Sequence, residues 1–123
     1  MIEGAVNTDH EAVVTLAVHG PSGRIREIEA VVDTGYSGFL TVTPALVAEL
    51  GLDYRGRSRA TLADGSEVSF EVYDLTVLWD GRSRHIRGDV ADTAPLAGMS
   101  LLDAHRLCVD VEDGGRVVIE ARA

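Results

Sequence analysis

The stretch EAVVDTGYSGFLTV, residues Glu29 to Val42, decides how this chain is read. It opens on a run of strand-forming apolar residues, Ala30, Val31 and Val32, and the run stops on Asp33, followed by Thr34 and Gly35. β-Branched residues favour a pleated, half-buried strand. A buried run that ends in a lone carboxylate is costly unless something uses the charge.

The pattern around this stretch is mostly strand. Upstream, EAVVTLAVHG puts Ala12, Val14, Leu16 and Val18 on one face by alternation. Gly20 to Gly23 is a turn signal, and RIREIEAVVD alternates again, with Ile28, Ala30 and Val32 opposite Glu27 and Glu29. The two runs read as a hairpin. Downstream, Thr43 as N-cap, Pro44 in the first helical position and Gly51 at the end frame a two-turn helix. Asp64-Gly65 lies between two alternating runs, which is a strong hairpin signal. Val68, Phe70 and Val72 share a face, and Leu75, Val77 and Trp79 extend the pattern with a face switch near Asp74.

Asp80 to Arg82 turns the chain into a further strand, SRHIRGDVAD. APLAGMSLLDAHRL is a second helical candidate, with Ser100 as cap and His105 as a charge near its C-terminus. A last hairpin turns at Asp113-Gly114-Gly115. The expectation is a mainly β chain with one or two short helices, forming one domain over residues 1–123.

Composition narrows the function. The formal net charge is −9, which gives no basic face for nucleic acid and no attraction to an anionic membrane. The single cysteine, Cys108, excludes an internal disulfide, and its apolar neighbours suggest a small buried hydrophobe. MIEGAVNTDHEAV has neither the basic start nor the apolar core of an export signal, and no apolar run approaches the ~20 residues of a membrane helix. The expected location is the cytoplasm. His10, His19, His85 and His105 show no paired ligand spacing, so no metal or other cofactor is expected. Ser37 has no histidine placed to activate it.

VVDTGYSGFL resembles the active-site motif of the aspartic proteases: two apolar residues, Asp, Thr or Ser, then Gly. The context fits as well. A hairpin precedes the motif, the TLADGSEV hairpin follows about where that family carries its flap, and PLAGMSLLDAHRL is similar to the family's second signature. The length is similar to that of the single-domain, retropepsin-like members. The resemblance implies a retropepsin-like acid-protease fold, a closed β-barrel, and an aspartic endopeptidase acting on peptide or protein substrates.

The chemistry of such a site needs two carboxylates. One, ionised, takes a proton from water as general base; the other, protonated, donates to the carbonyl oxygen. This chain carries the motif once, since Asp92-Thr93-Ala94 lacks the glycine. A homodimer, each copy presenting Asp33, is therefore what both the residues and the resemblance imply. By resemblance Asp33 is catalytic, Thr34 braces the two loops, and Gly35 admits the backbone close to the carboxylate. Ala63, Asp64 and Gly65 become the flap tip over substrate, Gly98 lies beneath the loop, and Tyr36 borders the cleft. Tyr36 stands where the family commonly has a smaller residue, and Asp64 makes the flap tip acidic. These two departures keep a second reading open: a catalytically inactive retropepsin-like module that binds a peptide or protein.

Overall fold

The computed structural model describes residues 1–123 and contains ten strands and one helix. In chain order the strands are β1 (Ile2–Val6), β2 (Ala12–His19), β3 (Ile25–Val32), β4 (Leu40–Val42), β5 (Asp53–Thr61), β6 (Glu67–Trp79), β7 (Arg82–Val90), β8 (Leu96–Ala97), β9 (His105–Val109) and β10 (Arg116–Ala121). Helix α1 is Pro44–Leu50. The chain is mainly β, as the alternation implies.

The strands run in the order β5-β6-β7-β4-β8-β3-β2-β1-β10-β9. A further antiparallel contact, Ala17 to His19 of β2 against Leu78 to Thr76 of β6, returns the pairing circuit on itself. Inside lie Val14, Leu16, Val18, Leu40, Val42, Leu75, Val77, Val117 and Ile119. Each such side chain contributes roughly 1.5–3 kcal/mol by leaving water. Alternation delivers them: Val14, Leu16 and Val18 point inward while Thr15 is exposed. The face switch in β6 is present, since Val72 is buried and the next buried residues are Leu75, Val77 and Trp79. Its outer arm pairs with β5 and its inner arm with β2 and β7.

Local chemistry sets the turns. The Thr43 hydroxyl accepts from Leu46 N–H at 3.1 Å, and Gly51 closes α1 with φ 58°. Asp80 and Gly81 both take positive φ, 51° and 81°, which matches the twist of the tight β6–β7 hairpin.

Four expectations are corrected. The segment after Gly98 is not a helix: Leu101 and Leu102 N–H both bond back to Gly98 O, and His105 N–H bonds to Leu102 O. Ser100 donates its hydroxyl to Ser37 O instead of capping, and Ala104, at φ 65°, turns the chain into β9. Leu101 and Leu102 are still buried. His105 consequently sits on a strand, accepting at Nε2 from Trp79 Nε1 at 3.1 Å. Cys108 is exposed because β9 turns His105, Leu107 and Val109 inward and Arg106 and Cys108 outward. The N-terminus, to which no element was assigned above, forms β1, paired with β2 and β10 in the same chain.

Candidate active site

Asp33 follows directly on β3, in the loop that leads to β4. Two-residue β8 fixes the end of β3. It pairs in parallel with β3 through Val31–Leu96 and Val32–Ala97, and Asp33 N–H donates to Ala97 O at 2.9 Å. β4 lies on the other side of β8 through Leu40–Ala97. Thr41, a buried polar side chain, accepts from Leu96 N–H at 2.7 Å, so its hydroxyl is satisfied and helps hold β8 in place. The loop that starts at Asp33 is thus clamped at both ends by the same short strand.

Within the loop the Asp33 carboxylate accepts from Gly35 N–H at 2.9 Å. A Cβ at position 35 would stand 3.2 Å from Asp33 Oδ1, so glycine permits this approach. Tyr36 N–H closes the turn on Asp33 O at 3.2 Å. Thr34 is exposed, and its hydroxyl makes no hydrogen bond within the chain. The carboxylate is half-buried, at the border of an apolar concavity of about 430 Å³. Asp33 and Thr34 line it with Val6, Leu96, Leu107, Val109 and Val111.

Gly98 lies beneath the loop. Its N–H donates to Phe39 O at 2.9 Å, and Met99 and Ser100 N–H bond to Tyr36 O and Gly38 O at 2.8 and 3.1 Å. A Cβ on Gly98 would fall 2.2 Å from Gly38 O and 2.6 Å from the Tyr36 ring. Here the two loops touch backbone to backbone.

Tyr36 folds under the loop. Its ring packs against Gly38 and Gly98, and its hydroxyl donates to Asp89 Oδ2 on β7. Burial, then the hydrogen bond and the charge of Asp89, raise the tyrosine pKa well above its ordinary range. Burial also raises the Asp89 carboxyl, against the hydrogen bond from Tyr36 and the charge of Arg87. The polar end of Tyr36 is committed to Asp89 in this conformation, and the sequence offered no signal that a residue so far along the chain would receive it.

Ala63, Asp64 and Gly65 form the tip of the β5–β6 hairpin, where Gly65 takes φ 85°. Asp64 Oδ1 accepts from the Ser66 hydroxyl at 2.6 Å and Ser66 N–H at 2.9 Å, which holds its carboxyl below the usual range. Every residue from Arg57 to Ser69 is exposed, so the outer half of the hairpin has no core beneath it. Arg57–Glu71 and Arg59–Glu67 ion pairs link its arms.

Comparison with solved structures places this architecture. A retropepsin-like aspartic protease from Rickettsia conorii superimposes with a TM-score of 0.62 at 23% identity, over 99% of this chain and 91% of that one. An EIAV protease complexed with an inhibitor superimposes at TM-score 0.56 and 19% identity, over 78% of this chain and 88% of that one. The fold is retropepsin-like. No protein-family model and no curated protein sequence matches the chain.

Proposed function

We propose that the chain is one half of a homodimeric aspartic endopeptidase, and that its ring of paired strands is a retropepsin-like barrel. The observation that carries this reading is the placement of Asp33: a half-buried carboxylate at a strand end, braced by Gly35 N–H, in a loop clamped by β8 and backed by Gly98. The two structural neighbours are both proteases.

In the dimer each copy contributes Asp33. Two carboxylates held ~3 Å apart share one proton and titrate as a pair. The ionised member takes a proton from a water as that water attacks the peptide carbonyl, and the protonated member donates to the carbonyl oxygen. The tetrahedral intermediate collapses when the leaving nitrogen is protonated, and the shared proton is restored. Thr34, whose hydroxyl is unengaged within its own chain, is free to bond across to the second loop. Gly35 holds Asp33, the Ala63-Asp64-Gly65 tip closes over substrate, and Tyr36 and Gly98 set the floor of the loop.

The test is digestion of an unbiased peptide mixture from pH 3 to 8, at protein concentrations that favour a dimer. Asp33→Asn should lose at least about 100-fold in cleavage rate, the low end of what a positioned proton-transfer group supplies. The competing reading, a peptide-binding module without turnover, draws on the acidic, ionised Asp64 at the hairpin tip. It predicts peptide affinity that survives Asp33→Asn, with no cleavage by either form.

A further inference from the structure

Both edges of β10 are filled within the chain, by β1 on one side and β9 on the other. The C-terminal strand is therefore not available for exchange with a second copy. Two strands end the sheet with a free edge: β5, the outer arm of the flap hairpin, and β9. Only β9 borders the candidate active site, where Leu107 and Val109 line the same concavity as Asp33 and Thr34. We propose that a second copy of this chain docks on β9, its own β9 running antiparallel, with the two-fold axis at Cys108. The proposal rests on the peptidase reading, which calls for a second Asp33.

Backbone hydrogen bonds fix which groups face that edge. Asp110 N–H donates to Arg116 O and Arg122 N–H to Ala104 O, both at 2.9 Å. Along an antiparallel ladder successive residues turn their backbone groups to opposite sides. Arg106, Cys108 and Asp110 therefore face β10, and Leu107 and Val109 present N–H and C=O at the free edge. An axis at Cys108 sets Leu107 opposite Val109 of the second copy, a pair that exchanges hydrogen bonds on each side of the axis. Cys108 then meets its own counterpart in a non-hydrogen-bonded pair, with Cα atoms about 4.5 Å apart.

Charge selects this register from its neighbours. With the axis at Cys108, Arg106 stands opposite Asp110 of the second copy, twice over. Both side chains are exposed and neither is in a close ion pair in its own chain, where Glu120 stands opposite Arg106 and Arg116 opposite Asp110, so each can turn to a charge on the second copy. An axis at Leu107 would oppose Arg106 to Cys108, and one at Val109 would oppose Cys108 to Asp110 and set Arg106 against Glu112, which has already left the strand for the turn, its N–H bonded to Asp110 O. Opposite charges across a strand pair are favourable and like charges are not. The two-fold axis of such a pair stands perpendicular to the joined sheet. The concave faces that carry Asp33 therefore open on the same side of it and flank the axis.

Mild oxidation of the purified protein, read by non-reducing electrophoresis and sedimentation, tests the register. A covalent dimer through Cys108 is expected, absent in Cys108→Ser, which still sediments as a reversible dimer. Arg106→Asp should weaken that dimer about tenfold or more by opposing like charges at two positions, and adding Asp110→Arg should restore it. These are exposed positions, so loss of folding does not confuse the result. A monomer at every concentration overturns the proposal, as does a dimer that neither cross-links at Cys108 nor responds to charge reversal. A cross-linked, charge-sensitive dimer that cleaves no peptide keeps the interface and sinks the peptidase reading. Asp33-dependent cleavage by a dimer indifferent to both probes does the reverse.

Discussion

At the scale of single residues, the Asp33 loop owes its shape to contacts that converge on Tyr36. Its N–H closes the turn on Asp33, its carbonyl receives Met99 N–H, and its hydroxyl is anchored on Asp89. Asp89 gives this anchor a pH dependence whose sign follows from burial. Its carboxyl holds a proton in the folded state above the ordinary value of 3.8. The stability this contributes is fully present below that value and is lost as pH rises through the raised one. Asp89→Asn keeps an oxygen for Tyr36 but cannot ionise, so its unfolding midpoint should lack the decline that wild type shows as pH rises above the ordinary carboxylate value. Denaturant titrations of both proteins from that value upward check it; parallel curves would remove Asp89 as the cause. Tyr36→Phe leaves a half-buried carboxylate without its donor and should cost about 1–3 kcal/mol at neutral pH. Asp33 and Gly35 were legible in the sequence because their contact spans two residues. The direction of Tyr36 was not, because it depends on space left by Gly38 and Gly98 and on a carboxylate carried by another strand.

At the scale of elements, legibility follows how local the determinants are. Helix α1 could be read residue by residue, since Thr43, Pro44 and Gly51 each act within one turn. The segment after Gly98 carries equally helical composition and is not a helix. Its N–H groups at Gly98, Met99 and Ser100 are drawn to the Asp33 loop, a demand set by the fold and invisible in the segment itself. β1 went unread because MIEGAV is short and broken by Gly4, where a Cβ would meet Val13 O at 2.0 Å. Its turn formers, Asn7 and Asp9, were the available signal: Asn7 Oδ1 accepts from both Asp9 and Glu11 N–H. The β5–β6 hairpin was legible from Asp64-Gly65 and the flanking alternation, but the register shift between Tyr54 and Gly56 was not. Its outer half buries nothing, so its opening free energy is low compared with that of the core. Amides from Arg57 to Ser69 that are bonded across the hairpin should exchange at least about 100-fold faster than those of Val14 to Val18, measured by hydrogen exchange in the free protein. Equal protection would mean that the hairpin is held by something other than its own ladder.

At the scale of the whole molecule, β1 decides how the chain ends. It joins β10 to β2, with Ile2 opposite Ile119 and Val6 opposite Ala12, and Val6 is buried in the core. This places both termini in one sheet and leaves β9 as the free edge beside Asp33. Deleting Met1 to Val6 removes the Val6 contact, worth roughly 1.5–3 kcal/mol, and the ladder bonds on both of its sides. The melting temperature should fall by at least about 5 °C. It also uncovers an edge of β10, whose Val117 and Ile119 belong to the core. An unprotected edge next to apolar residues recruits other chains, so the shortened protein should form larger species than the full chain does at the same concentration, seen by light scattering. Adding back a synthetic peptide of residues 1–6 in excess should reverse both effects, because it restores the missing strand. A shortened chain that melts like the full one and associates no further would show that β10 is held in place by β9 alone.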